Sequence, residues 1–219
     1  MERRLEKEIM DGEAQVRAYA QANFSKENQW FVDQFLDTFP ECREGLLLDL
    51  GCGPADISIR LANSCTGFTI MGIDASGPMI NLAQKAIHEG NCSERVRVVC
   101  QRIQDVVLEE RADAIISNSL VHHVPNPFQF WYALKQLAKP GAPVLVMDLL
   151  RPESIEETQA LIDQYAADEP EQLRLDFYNS LLAAFSEDEV AAHLAEMNLS
   201  RLLIDVPDDR HWIVSGRVY

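Results

Sequence analysis

Positive charge is scarce in this chain: 19 Lys and Arg stand against 35 Asp and Glu, for a formal net charge of −16. Such a field repels phosphate backbones and anionic lipid, so neither nucleic acid nor a membrane surface is an expected partner. Long apolar runs are also missing, and the charged opening, Met1 to Met10, has no apolar segment. Neither a membrane span nor an export signal is therefore expected. Cysteine is thin and odd in number: Cys42, Cys52, Cys65, Cys92 and Cys100 include no Cys-x-x-Cys pair. That excludes a disulfide framework and fits a reduced, cytoplasmic protein. Internal repeats and low-complexity segments are absent as well.

What is present is an alternation of strand and helix signals on a scale that fits one domain of 219 residues. Residues 1–43 carry apolar side chains at helical spacing (Val16, Tyr19, Phe24, Trp30, Phe31, Phe35, Phe39) up to Pro40, and read as a helical cap. Residues 44–151 alternate. Strands are expected at Leu46–Leu50, Phe68–Ile73, Val96–Cys100, Ala114–Ser117 and Val144–Met147, with helices from about Ala55, over Pro78–His88 and over Phe128–Ala138. A short helical stretch is expected near Ile103–Leu108. This rhythm requires a mostly parallel sheet covered on both faces, a doubly wound α/β fold. Residues 152–185 read as a helical insertion with a polar break at Asp168-Glu169-Pro170. Residues 186–219 read as a helix opened by a Ser186–Glu189 capping box, then an antiparallel pair, Leu202–Val206 and Trp212–Val218.

The chemistry is concentrated where the first strand ends. Leu46-Leu47-Leu48-Asp49-Leu50 runs into Gly51-Cys52-Gly53-Pro54-Ala55-Asp56, and the second strand ends in Asp74. A glycine turn after the first strand and an acid closing the second are how an open α/β sheet holds a nucleoside. A dinucleotide loop needs a third small residue to pack around a pyrophosphate, and here that position is Asp56. A carboxylate opening the next helix repels phosphate. The pocket is thus expected to take a ligand without one.

Leu-Asp-Leu-Gly-Cys-Gly-Pro-Ala followed by Gly-Ile-Asp-Ala-Ser resembles the class I S-adenosylmethionine-dependent methyltransferases, whose cofactor carries no phosphate. The resemblance covers roughly residues 43–150 and implies a seven-stranded, Rossmann-like sheet with an antiparallel last strand. It also implies S-adenosyl-L-methionine as cofactor. Carried onto this chain, it places Gly51, Cys52 and Gly53 against the methionine part, Asp49 near the amino group, Asp74 on the ribose and Ala75 to Met79 beside the adenine. It further implies that Tyr19, in the lead segment, closes over the cofactor. At the third strand end many members carry an acid that accepts from the adenine amine. This chain has Gln101-Arg102-Ile103-Gln104, and Arg cannot accept that bond. Ile103 can still pack on the adenine and Gln104 can supply a carbonyl, while Arg102 fits a solvated surface residue equally well.

Ser117-Asn118-Ser119-Leu120-Val121-His122-His123 is similar to a stretch of many small-molecule methyltransferases that faces the methyl sulfonium. It brings Asn118 to the cofactor and nominates His123 and, more weakly, His122 as catalytic residues, either as pocket wall or as general base. On a helical backbone the two rings diverge, so at most one is expected in the acceptor pocket. No third group with ligand spacing accompanies them, so no metal site is expected. Substrate selection is expected outside the common sheet. The candidates are Phe177 and Tyr178 with Asn179 and Leu182 in the insertion, Tyr19, Phe24 and Trp30 in the cap, and Asp148 with Arg151 after the fifth strand. That last pair would form either a polar corner of the pocket or a contact that only stabilises the turn. The expected reaction is in-line methyl transfer to a small molecule, which needs positioning more than acid–base help. Two other readings remain open. One is a regulatory protein that keeps the pocket without the chemistry, suggested by Arg102; the other is a nicotinamide-dependent oxidoreductase, disfavoured by Asp56.

Overall fold

A computed structural model describes residues 1–6, 9 and 11–219. Two helices come first, α1 (Glu13–Gln21) and α2 (Ser25–Thr38), and α2 ends before Pro40. The alternating part follows as β1 (Glu44–Leu50), α3 (Asp56–Ser64), β2 (Gly67–Asp74), α4 (Gly77–Glu89), β3 (Val96–Cys100), β4 (Ala114–Asn118), α5 (Pro127–Leu137) and β5 (Pro143–Leu149). Then come α6 (Ile155–Tyr165), α7 (Glu171–Ala183), α8 (Glu187–Glu196), β6 (Leu203–Asp205) and β7 (His211–Arg217). Among the described residues no helix is long and apolar enough to cross a membrane.

The strands form one seven-stranded sheet in the order β3-β2-β1-β4-β5-β7-β6. All neighbours from β3 to β5 are parallel, and β7 runs antiparallel between β5 and β6. Strand order reverses between β1 and β4, so their carboxyl ends lie side by side, with Leu50 opposite Ser117. That is where an open α/β sheet leaves a crevice. The Ser117 hydroxyl donates to the Leu50 carbonyl at 2.8 Å and holds the two ends together.

The alternation of side chains along each strand divides the core in two. Leu48, Leu50, Met71 and Ile73 face a layer built on Phe130, Trp131, Val190 and Leu194 of α5 and α8, joined by Trp212. Leu47, Ile70 and Ile116 face Phe31, Phe35, Ile57, Leu61 and Ile87 of α2, α3 and α4. β5 is buried at all seven positions, as a central strand covered on both faces must be. Leu149, Leu161, Ile162, Leu181 and Ala184 make a separate small cluster beneath α6 and α7.

Local chemistry sets the helix ends. The capping box expected at Ser186 is formed, the Ser186 hydroxyl accepting from the Glu189 amide while the Glu189 carboxylate accepts from the Ser186 amide. The insertion is two helices rather than one. Pro170 has no amide hydrogen to donate and is tolerated only at a helix start, so α6 stops and α7 begins after it. Near Ile103–Leu108 only a single 3₁₀ turn forms, Ile103–Asp105, too short a segment to propagate an α-helix.

Candidate active site

The glycine turn after β1 is pinned to the end of β2. The Gly51 and Cys52 amides both donate to the Ile73 carbonyl, at 2.8 and 3.1 Å, and the Gly53 amide donates to Asp74 Oδ2 at 2.9 Å. Asp74 Oδ1 accepts from the Ser76 amide at 2.8 Å, so one carboxylate ties the turn to the start of α4. Two glycines are needed for different reasons. At Gly51 (φ +75°) a Cβ would meet the Leu120 side chain at 2.9 Å; at Gly53 (φ +49°) it would point into open space. The floor of that space is where a ligand can approach the backbone.

The crevice above the turn encloses about 360 Å³ between Tyr19, Phe24 and Asn28 on one side and Asp49, Gly51, Gly53, Asp56 and Asn118 on the other. Its charge is negative. Burial pushes Asp49 up to about 7, against the hydrogen bond from Ser58 Oγ at 2.6 Å and with help from the nearby Asp74 charge. Burial also raises Asp74, although its two backbone hydrogen bonds oppose the shift. The Tyr19 hydroxyl is pushed up to about 12 by burial and by Asp74, Asp56 and Asp49, so it remains a phenol, with its ring against Phe24 at 4.9 Å. Asp56 is held by Asn28 Nδ2 at 2.9 Å and Arg60 Nε at 2.7 Å. One buried and one half-buried carboxyl at such a site favour a cation and disfavour a phosphate.

A second cavity, about 480 Å³, lies beside it and is lined by Arg4, Glu6, Gln15, His123, Asp176 and Tyr178, among others. Gln15 faces this cavity and Tyr19, one helical turn along α1, faces the crevice, so α1 borders both. The opening residues strap this end of the molecule. Arg3 donates to the carbonyls of Ala183, His122 and Val124 at 2.6, 2.9 and 3.3 Å and stacks over Phe185 at 3.9 Å. Glu6 is thereby delivered to the histidines, its Oε1 standing 2.9 Å from His123 Nδ1 and 3.5 Å from His122 Nε2 and accepting from Ser180 Oγ at 3.1 Å.

Residues 47–141 match the family model described as a methyltransferase domain. Over that stretch, less than half of the chain, the sequence is similar to methyltransferase domains. Over 105 residues this chain is 32% identical to a mitochondrial ubiquinone biosynthesis O-methyltransferase of Arabidopsis thaliana, covering 47% of this chain and 32% of that protein. A ubiquinone biosynthesis O-methyltransferase from Azoarcus sp. is 28% identical over 105 residues, covering 48% of this chain and 44% of its own length. The match thus spans between a third and a half of these curated relatives. Among solved structures, a SAM dependent methyltransferase from Aquifex aeolicus superposes with a TM-score of 0.67 at 18% identity, over 93% of this chain and 97% of the other. The plantazolicin methyltransferase BpumL, crystallised with a desmethylPZN analogue and SAH, gives 0.70 at 14% identity, over 94% and 92%. At such identities the structures attest to the fold.

In this chain the crevice gathers Tyr19, Asp49, Gly51, Cys52, Gly53 and Asn118 at its lining, with Asp74 at the turn beneath. Ala75 is half-buried and Met79 buried at the start of α4, Ile103 is buried in its 3₁₀ turn, and Arg102 and Gln104 are exposed beside it. Four expectations need correction. His122 and His123 do not diverge, because their backbone is a 3₁₀ turn and not an α-helix; their rings lie against each other with centroids 4.2 Å apart and planes tilted by 37°. A third group does accompany them, Glu6, brought from a distant part of the sequence. Asp148 is not on a pocket wall. It is buried under His122, accepting from the His122 amide at 3.1 Å, from its Nδ1, and from the Leu149 amide at 2.7 Å. Burial raises its pKa, but the His122 charge and these hydrogen bonds bring it below the usual carboxylate range. Arg151 pairs with Glu189 at 2.9 Å and not with Asp148. Phe177 turns away from the cavity into the cluster under α6, whereas its neighbour Tyr178 reaches both.

Sequence reasoning missed Glu6, Ser58 and Asp176. Ser58 is a fully buried polar residue next to the apolar Ile57 and Leu61 on α3, and Asp176 is a buried acid on α7. A polar residue on an otherwise apolar helix face is a signal that could have been read. Glu6 offered none, since it lies in a charged segment without periodicity.

Proposed function

We propose that this chain transfers the methyl group of S-adenosyl-L-methionine to a small-molecule acceptor. The observation that carries the reading is a pair of acids, the buried Asp49 and the half-buried Asp74, set on either side of a glycine turn whose Gly53 leaves open space above the backbone. Bound there, S-adenosylmethionine would supply an electrophilic methyl carbon, which the acceptor attacks in line while the bond to sulfur breaks and S-adenosylhomocysteine leaves as a neutral thioether.

Asp49 faces the ammonium group and, once a cation neutralises it, becomes an ordinary carboxylate. Asp74 keeps acceptor capacity for ribose hydroxyls beyond its two backbone amides. Gly51, Cys52 and Gly53 give the methionine part a surface without side-chain obstruction, and Asn118 faces the same space. Tyr19 donates its phenolic hydrogen and excludes water. Ala75, Met79 and Ile103 flank the adenine, with Gln104 at its edge and Arg102 towards solvent. The acceptor occupies the neighbouring cavity, whose size lies within the roughly 300–1,000 Å³ usual for small-molecule sites. His123 stands on its wall and is the group placed to take an acceptor proton. Asp148 orients His122 behind it, and Tyr178 and Asp176 select the acceptor. Holding both reactants in adjacent pockets bordered by α1 supplies the approach geometry on which most of the acceleration depends.

A small acceptor rather than nucleic acid is part of this reading, because a net charge of −16 opposes a phosphate backbone. So is a reducing, cytoplasmic setting, which suits five free cysteines.

Isothermal titration with S-adenosylmethionine and S-adenosylhomocysteine tests the reading, followed by transfer of labelled methyl to an acceptor panel resolved by mass spectrometry. One molecule of either ligand is expected per chain, and failure of both to bind at millimolar concentration overturns it. Asp74→Ala is expected to weaken the two alike, by about 10- to 100-fold if hydrogen bonds to a charged group contribute about 1.5–3 kcal/mol.

A further inference from the structure

We propose that Glu6, His122 and His123 bind one divalent transition-metal ion at the wall of the acceptor cavity. Their donor atoms, Glu6 Oε1, His122 Nε2 and His123 Nδ1, all lie within 4.8 Å of one another. Tetrahedral coordination with bonds of about 2.0–2.2 Å separates ligand atoms by about 3.3–3.6 Å. Of the two separations from Glu6, 3.5 Å falls within that range and 2.9 Å lies a few tenths of an ångström below it. Small rotations of two side chains therefore complete the geometry without backbone movement.

The shell behind these ligands is built in the manner that metal histidines require. His122 Nδ1 is engaged by Asp148, which is 1% exposed and is itself fixed by two backbone amides. This holds the ring so that Nε2 presents a lone pair towards Glu6, the carboxylate–histidine arrangement that orients a metal ligand and raises its basicity. Glu6 is steadied by Ser180 and His123 is held against it. Two imidazoles and one carboxylate suit zinc and its neighbours rather than calcium or magnesium, which prefer oxygen. Glu6 and His123 also line the 480 Å³ cavity, so the fourth coordination position faces the space assigned to the acceptor. In the reaction proposed above, an ion there would lower the pKa of an acceptor hydroxyl and relieve His123 of taking the proton.

The full chain, stripped with a chelator, is titrated with Zn²⁺ by calorimetry and with Co²⁺ by visible absorption. The expected result is one ion bound at this site per chain, with cobalt bands of nitrogen and oxygen ligation. Glu6→Gln and His123→Ala are each expected to weaken binding at least about tenfold, and Asp148→Asn by about 10- to 100-fold through loss of the orienting bond. Affinity should fall in acid as the imidazoles protonate. Cys100 is exposed, so the His123→Ala variant sets the baseline for adventitious thiolate binding, and circular dichroism verifies its fold. Equal zinc affinity in the wild type and both ligand variants overturns the site, as does a cobalt spectrum dominated by thiolate charge transfer. S-adenosylmethionine titrated into the same samples reports the methyl-transfer reading separately, because Asp49 and Asp74 belong to the other pocket.

Discussion

Single residues of the glycine turn separate binding from folding. Gly51→Ala forces a Cβ against Leu120 at 2.9 Å and a left-handed φ, so it is expected to lower the melting temperature sharply. Gly53→Ala carries only the left-handed penalty, about 1–2 kcal/mol, yet fills the space the cofactor backbone approaches. Thermal melts and calorimetry together check this: Gly53→Ala should stay folded and lose S-adenosylmethionine affinity, and a variant that bound normally would contradict the placement. Asp49 sets a pH dependence. Its folded pKa near 7 lies above its ordinary 3.8, so ionising it opposes folding, and the penalty grows as pH rises between those values. A bound cation reverses the penalty, so cofactor affinity should rise with pH up to about 7 and binding should release a proton. Titrations in buffers of different ionisation enthalpy measure that proton, and Asp49→Asn should abolish it.

Among the elements, the opening segment and α7 carry what the common sheet does not. Arg3 makes three hydrogen bonds of 3.3 Å or less to carbonyls and stacks on Phe185, and burial lowers its pKa despite neighbouring acids. Arg3→Ala is expected to cost about 1.5–3 kcal/mol and to free the segment that presents Glu6. Hydrogen exchange should quicken at residues 1–6 and 121–125 while β1 and β4 keep their protection; unchanged exchange at both would show that the strap does not depend on Arg3. The strands were legible because buried apolar runs ending in Asp49 and Asp74 leave little choice of structure. The His122 backbone was not, since the short connection between β4 and α5, residues 119–126, has no periodicity. Nor was the Asp148 partnership, which exists only because β4 and β5 pair and bring their carboxyl ends together. Phe177 and Tyr178 are adjacent in sequence and differ only in which face of α7 they occupy, a distinction fixed by the packing of α6.

For the whole molecule, a net charge of −16 on 219 residues is a standing source of self-repulsion. Raising ionic strength from about 0.01 to 0.15 M shortens the screening length from about 30 to 8 Å, so the melting temperature should climb over that range. A flat or falling trend by calorimetry would mean that local ion pairs such as Arg151–Glu189 outweigh the global field.

The position of β7 has a consequence for biogenesis. Until β7 leaves the ribosome, β5, which the folded sheet buries along its entire length, is an open margin of the sheet, and β6 has no neighbour to join. Nascent chains arrested before His211 would therefore display a sticky hydrogen-bonding rim, the kind of surface that chaperones recognise or that seeds aggregation.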